Sequence, residues 1–237
     1  MLMIRKFSTA FNTIKTFRNW YTCLLVRGHL IKPEKVVLYL RNGDKFIVRV
    51  KQNDYWMIEY VYIHRLYTPP GFEIERHDIV VDIGAYIGDF TVFAARAAKS
   101  GKVLAYEPLP ANFKMLLENI KLNNLVNVTA FNYAVAGIHG ERIIYYSPDD
   151  LGMTNLYKPL GNKPSKLRVK YVTLKEIFDE NNLERIDFLK MDCEGSEYEI
   201  FMNTPDEYLQ KIGKLSLSFH DPMVYSKKSR EAVLKFR

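Results

Sequence analysis

The pattern of hydrophobic and polar positions along this chain changes near Ile79. Before it, Ile4, Phe7, Phe11, Ile14 and Tyr21 recur at helical spacing, the stripe of an amphipathic helix. Two alternating runs follow, Val36 to Leu40 and Phe46 to Val50, with Asn42-Gly43 between them. Asn-Gly in that setting predicts a β-hairpin with a type I′ turn, because both residues tolerate positive φ. Asp54 to Arg65 reads as a helix that stops before the breaker Thr68-Pro69-Pro70-Gly71. Residues 1–70 are therefore expected to form a helix-and-hairpin cap on a core occupying residues 71–237. The aromatics between Tyr55 and Tyr67 are read as the packed side of the cap helix rather than as a substrate cage.

From Ile79 onward short apolar runs alternate with helical ones. Strands are expected at Ile79–Ile83, Lys102–Glu107, Asn127–Val135, Asp187–Asp192 and Lys214–Phe219. Helices are expected at Gly88–Lys99, at Pro110–Leu122 with proline in the first turn, and from Ser196. Thr173 and Glu176 form a capping-box signature for a helix reaching Asn181. Glu141–Tyr146 and Leu167–Val172 read as an additional strand pair around a polar loop. Regular alternation of this kind predicts an α/β fold, a parallel sheet with helices on both faces.

Composition adjusts this picture in three ways. A chain of 237 residues, 48% hydrophobic, supplies one substantial core rather than two. Its two cysteines, Cys23 and Cys193, have no paired spacing and no histidines around them, so neither a disulfide framework nor a metal site is expected, and a reducing, cytoplasmic setting follows. The net charge of +7 is mostly local: six of the 34 basic side chains precede the first acid, Glu34, leaving 28 against 27 acidic ones. A nucleic-acid-binding surface spread over the fold is not expected. The apolar run from Trp20 to Val26 falls well short of the ~20 residues of a membrane span. Arg18 and Arg27 flank it without a cleavage pattern, which argues against a signal peptide. The basic N-terminal helix is read as covering the core or a partner subunit, with membrane-surface attachment as the second reading.

The chemistry concentrates in Val81-Asp82-Ile83-Gly84-Ala85-Tyr86-Ile87-Gly88-Asp89-Phe90-Thr91, where the first core strand gives way to a helix. Open α/β sheets bind ligands at such a place, beyond the carboxyl ends of their strands. A Gly-x-Gly-x-x-Gly alignment starting at Gly84 puts Tyr86 at the second glycine, where a side chain obstructs a pyrophosphate, and Asp82 adds a charge unfavourable to phosphate. Both features suit S-adenosylmethionine, which carries an ammonium and a sulfonium but no phosphate. Glu107 ends the second strand, where such folds place an acid on ribose hydroxyls. The alternatives are a nicotinamide-dependent oxidoreductase and a module that binds the cofactor without turnover. The basic loop with Lys158, Lys163, Lys166, Arg168 and Lys170 reads as a solvated face, with recruitment of an anionic substrate as the second reading.

These blocks, together with Tyr106-Glu107-Pro108-Leu109-Pro110, Asn112-Phe113, Leu117, Asn119 and Asp187-Phe188-Leu189-Lys190-Met191-Asp192-Cys193-Glu194-Gly195-Ser196-Glu197, resemble the FkbM family of methyltransferases over roughly Gly71 to His220. The resemblance implies a Rossmann-like class I methyltransferase sheet, S-adenosylmethionine as donor and a small-molecule hydroxyl, on a sugar or other compound, as acceptor. It places Asp82, Gly84, Tyr86 and Gly88 around the methionine part, with Ala85 and Thr91 also among the cofactor-binding residues, Glu107 on the ribose, Pro108 and Asn112 beside the nucleoside, Ala134 along the adenine, and Asp192 near the methionine or the reacting centre. His220 is expected to be the base, with Asp192 and Glu194 shaping the acceptor site. A metal held by Asp192, His220 and Asp221 is not required. Ser218 stands where the family has an acid, and the antiparallel strand pair that completes the family's sheet is expected to be missing.

Overall fold

In the computed structural model, which describes residues 11–28, 30–155, 164–193 and 195–218, residues 11–16 are helical. Helix α1 (Trp20–Arg27), an antiparallel hairpin of β1 (Lys35–Tyr39) and β2 (Lys45–Arg49), and helix α2 (Tyr55–Tyr62) follow. Ile4 and Phe7 of the expected stripe lie outside the described residues. The hairpin forms where Asn42-Gly43 predicts it, but the turn differs. Only Gly43 has positive φ, at 101°, and Leu40 N donates to Asp44 O at 2.8 Å, so the connection is three residues long. Asp44 accounts for this: Asn42 Nδ2 donates to its carboxylate at 2.7 Å and Asp44 N donates back to Asn42 Oδ1 at 3.1 Å, which occupies Asn42 in a local side-chain turn.

The core continues with β3 (Ile79–Ile83), α3 (Asp89–Ala97), β4 (Lys102–Tyr106), α4 (Pro110–Leu122) and β5 (Val128–Phe131). Next come β6 (Ala134–Val135), β7 (Gly140–Ser147), β8 (Asp150–Asn155), β9 (Ser165–Val172) and α5 (Leu174–Glu180), which begins with the expected capping box. The remaining described elements are β10 (Ile186–Met191), α6 (Glu197–Asn203), α7 (Asp206–Leu209) and β11 (Ile212–Leu217). Five parallel strands form the central sheet in the order β11-β10-β3-β4-β5. Successive side chains of a strand point to opposite faces. Accordingly Val81, Ile83, Leu104, Leu189 and Met191 pack against α5, α6 and α7, whereas Val80, Val103 and Phe188 pack against α3.

The strand expected over Asn127–Val135 is two strands. β5 pairs with β4 in the central sheet, and after Asn132-Tyr133 the chain joins a second, four-stranded sheet ordered β6-β9-β7-β8. Asn132 Nδ2 donates to the carbonyls of Glu107 and Pro108, which fixes the crossing. The expectation that the C-terminal strand pair is missing concerns residues beyond Ser218, outside the described residues.

The extension is fastened to the core along β2. Asn119 Oδ1 accepts from Ile47 N at 2.7 Å, while its Nδ2 donates to Ile47 O at 3.2 Å and Ile87 O at 2.9 Å. Asn123 repeats the pattern one turn later, accepting from Lys45 N at 2.9 Å and donating to Lys45 O at 2.7 Å. Four residues of helix rise ~6 Å and two residues of strand ~6.6 Å, so two asparagines one turn apart meet alternate peptides of an antiparallel neighbour. Asp54 continues the series by accepting from Arg49 N at 2.8 Å. The free edge of β2 is thereby paired by side chains, and Phe46, Val48 and Ile58 share one buried cluster with Ile87, Val92 and Met115. Asn119→Ala leaves buried peptide groups at Ile47 and Ile87 without partners and should cost roughly 1–3 kcal/mol or more in urea unfolding. An unchanged midpoint would show that the junction does not rely on this side chain.

Candidate functional site

The turn from β3 into α3 has three residues in the left-handed region, Gly84 (φ 77°), Tyr86 (φ 50°) and Gly88 (φ 87°). Glycine is required at position 84 by the neighbouring strand end, since a Cβ there would lie 1.9 Å from Asp192 O. Tyr86 turns its side chain toward the extension, where its hydroxyl donates to Asp54 Oδ1 at 2.6 Å and its ring lies beneath the Arg49 guanidinium. Arg49 holds Asp54 through Nε and Nη2 and donates from Nη2 to Asn112 Oδ1 at 2.9 Å. The extension thus supports the turn directly.

Behind the turn lies a buried ion pair. Lys190 Nζ is 3.0 Å from Asp82 Oδ1 and donates to Gly84 O at 2.6 Å, and Thr91 Oγ1 donates to Asp82 Oδ2 at 2.6 Å. Burial disfavours the ammonium, but Asp82, Asp192 and Asp89 outweigh it and hold Lys190 above the usual lysine range. Tyr67, from the extension, donates its hydroxyl to Asp192 Oδ2.

A cavity of about 550 Å³ opens above these groups at the carboxyl ends of β3, β4 and β10. Of the residues assigned to the cofactor in the sequence, Gly84, Tyr86, Glu107, Pro108, Asn112, Ala134 and Asp192 line it. Asp82, Ala85, Gly88 and Thr91 do not: all four are buried, and Asp82 reaches the cavity only through Lys190. Glu194 and His220 lie outside the described residues, as does Asp221 of the alternative metal trio. Lining residues that the sequence reading missed are Lys190, Asp89, Tyr67 and the cap residues Trp56, Met57 and Tyr60. The last three correct the expectation for Tyr55 to Tyr67: Tyr55, Ile58 and Val61 are core, but the opposite side of the helix faces the cavity. Cys193 is a packed thiol as expected, its pKa raised by burial.

Glu107 is used on both oxygens. Tyr86 N donates to Oε2 at 2.9 Å, Leu109 N to Oε1 at 2.9 Å, and Asn112 Nδ2 more distantly to Oε1 at 3.4 Å. Burial nevertheless pushes its carboxyl up to about 7. Burial likewise pushes Asp89 up to about 7, with Lys190 opposing the rise and Asp82 adding to it. Among the described residues Lys190 is the one lysine or arginine in the lining, facing Asp89, Glu107, Asp150 and Asp192, so acids outnumber bases around the cavity.

An open parallel sheet with a glycine turn after its central strand and an acid closing the next is the plan of a Rossmann-like methyltransferase. The sequence profile described as the Methyltransferase FkbM domain matches residues 82–230, and the chain belongs to this family. Its cofactor is accordingly S-adenosylmethionine. Methyltransferase 1 of Beauveria bassiana is 25% identical over 179 residues, which cover 68% of this chain and 71% of the relative. The 31-O-demethyl-FK506 methyltransferase FkbM of Streptomyces tacrolimicus is 24% identical over 189 residues, covering 68% and 72%. A crystal structure of methyltransferase FkbM from Methylobacillus flagellatus is similar at a TM-score of 0.46 and 19% identity over 65% of this chain; the chain spans 36% of that protein. Among the described residues no helix is long and apolar enough to cross a membrane.

The raised carboxyls set a pH dependence. Asp89 and Glu107 keep protons in the folded state up to about 7 that the unfolded chain loses near 3.8 and 4.5, so their contribution to stability is lost as pH rises through this window. Urea unfolding of cofactor-free protein should therefore show Asp89→Asn and Glu107→Gln gaining on the parent as pH rises toward 7 and keeping a constant advantage above it. A gap that narrows with rising pH would contradict the assignment.

Proposed function

We propose that this chain transfers a methyl group from S-adenosylmethionine to a hydroxyl oxygen of a small molecule. The observation that carries the reading is where the β3–α3 turn directs its N–H groups. Gly84 and Ala85 both donate to Tyr106 O, Tyr86 to Glu107, and Gly88 to Ala85 O. A pyrophosphate-binding turn offers such groups to its ligand. Here these four are engaged within the protein, and Asp89 and Glu107 face the same space. This arrangement disfavours the nicotinamide dinucleotide alternative and favours a ligand that is cationic at sulfur and nitrogen.

The lining fits that ligand. Glu107 has about four acceptor positions, of which two are firmly filled and the third only by the long Asn112 contact, leaving capacity for ribose hydroxyls. Pro108, Tyr133, Ala134 and Val135 supply apolar lining suited to adenine, and Asp192 favours the charged methionine end. When bound, the cofactor supplies an electrophilic methyl group on a good leaving group, so the protein has to align the acceptor, exclude water and receive one proton. Tyr67 orients Asp192 in the cavity lining. His220, two residues after Ser218 at the end of β11, is assigned as the base, since its ordinary pKa of ~6.5 suits proton uptake near neutrality. Asp192 and Glu194, following β10, are assigned to shape the acceptor site. A cytoplasmic setting belongs to the same proposal, supported by the two free cysteines Cys23 and Cys193.

Calorimetric titration should give saturable binding of S-adenosylhomocysteine and none of NAD; the reverse pattern would overturn the reading. Glu107→Ala should weaken S-adenosylhomocysteine binding by roughly 1.5–3 kcal/mol, the loss of a charge-assisted hydrogen bond. With an acceptor in hand, His220→Ala should lower kcat by ~10²–10⁴-fold at nearly unchanged cofactor affinity. Undiminished turnover would remove His220 from the mechanism.

A further inference from the structure

Helix α2 is apolar on two sides. Tyr55, Ile58 and Val61 are packed into the protein, while Trp56, Met57 and Tyr60 line the cavity together with Leu66 from the following loop. A helix apolar all round is expected to be buried all round. Here Tyr60 and Leu66, which line the cavity, expose 42% and 51% of their surfaces. Building on the methyl-transfer reading, we propose that this wall is the acceptor subsite and that the acceptor is an uncharged alcohol with an apolar body. The body packs on Trp56, Met57, Tyr60 and Leu66, and the hydroxyl points to Asp192.

Charge and hydrogen bonding select this class over phosphorylated compounds and free sugars. Lys190, the one lysine or arginine lining the cavity among the described residues, is engaged by Asp82 and Gly84 O, whereas Asp89, Asp150 and Asp192 face the same space. A phosphate or carboxylate brought there finds no unengaged cation among the described residues and meets the acids Asp150 and Asp192. Arg27 does not line the cavity; it stacks on Trp56 at 4.6 Å and pairs with Glu59 at 3.7 Å. A free sugar needs many hydrogen-bond partners, and of the two amides that precede the helix in the lining, Gln52 and Asn53, Gln52 is occupied: its Oε1 accepts from Leu151 N at 2.7 Å and its Nε2 donates to Pro148 O at 3.2 Å. What the wall offers in quantity is aromatic and thioether surface, which is matched by apolar surface.

The chain has two tryptophans, Trp20 and Trp56, so Trp20→Phe leaves Trp56 as a reporter inside the subsite. Its emission is followed while titrating menthol, a neutral alicyclic alcohol that does not absorb at the excitation wavelength, and separately glucose and glucose 6-phosphate. Menthol should give a saturable blue shift, and the two sugars none. Met57→Glu and Tyr60→Ala should each weaken the menthol response by roughly ten-fold or more, the loss expected for one apolar side chain's contact. Calorimetry with S-adenosylhomocysteine, whose proposed contacts include neither residue, should give parent affinity in both variants and so report that they are folded. The proposal is overturned if glucose or glucose 6-phosphate saturates where menthol does not, or if menthol binds both variants like the parent. It is equally overturned if Trp56 already emits in the blue and does not respond, which would mean that the chain itself covers the wall. Failure of the parent to bind S-adenosylhomocysteine counts instead against the methyl-transfer reading, whatever menthol does.

Discussion

A lysine ammonium buried between two parallel strands organises this molecule. Removing Lys190 and Asp82 from water costs several kcal/mol per ion, and their attraction offsets this only where further hydrogen bonds complete the geometry. Here they do: Thr91 donates to Asp82, and Gly84 O accepts from Lys190. The pair therefore joins β10 to β3, the start of α3 to the sheet, and the glycine turn to both. The close approach of Gly84 to Asp192 O is possible only because position 84 lacks a Cβ, so the ion pair and the glycine belong to one constraint. Loss of either charge would leave the other buried and unpaired, which is far more costly than the pair is favourable.

The extension is the second half of the same construction. Its buried polar groups are aimed at the turn from the opposite side: Asp54 receives Tyr86 and Arg49, Arg49 reaches Asn112, and Tyr67 reaches Asp192. Asn119 and Asn123 cover the backbone edge of β2 that would otherwise require another strand. Arg49, Asp54 and Tyr67 all lie before residue 82, where the matched family region begins, although they hold its first motif in place. The cap is therefore part of the site's framework as well as its roof.

Much of this was legible in the sequence. Short apolar runs placed the five parallel strands, which are buried on both faces, and helical periodicity placed most helices, which bury one. What escaped had physical reasons. The break at Asn132-Tyr133 interrupts an apolar run without glycine or proline, and it depends on a side-chain bond to Glu107 O that local pattern does not encode. The turn at Asn42-Gly43 was diverted by Asp44, one residue beyond the motif. Lys190 could have been found: one basic and one acidic residue, each in the middle of an otherwise buried strand, are most simply explained by pairing with each other. Trp56, Met57 and Tyr60 could not be separated from core, because composition does not distinguish an apolar face that packs on protein from one that faces a cavity.

Electrostatics and shape then divide the work. The turn's N–H groups are turned inward and its surroundings are acidic, so the site opposes phosphate where many nucleotide-binding turns attract it. In a low-dielectric cleft such fixed charge acts more strongly than in water. The acidity that suits a cationic donor also constrains what can bind beside it, since any acceptor must share the space with Asp192. An uncharged acceptor avoids that repulsion, and an apolar one gains from the surface that α2 leaves open. The same buried carboxyls that select the donor thus narrow the chemistry of the acceptor, without any residue having to recognise the acceptor by a charge of its own.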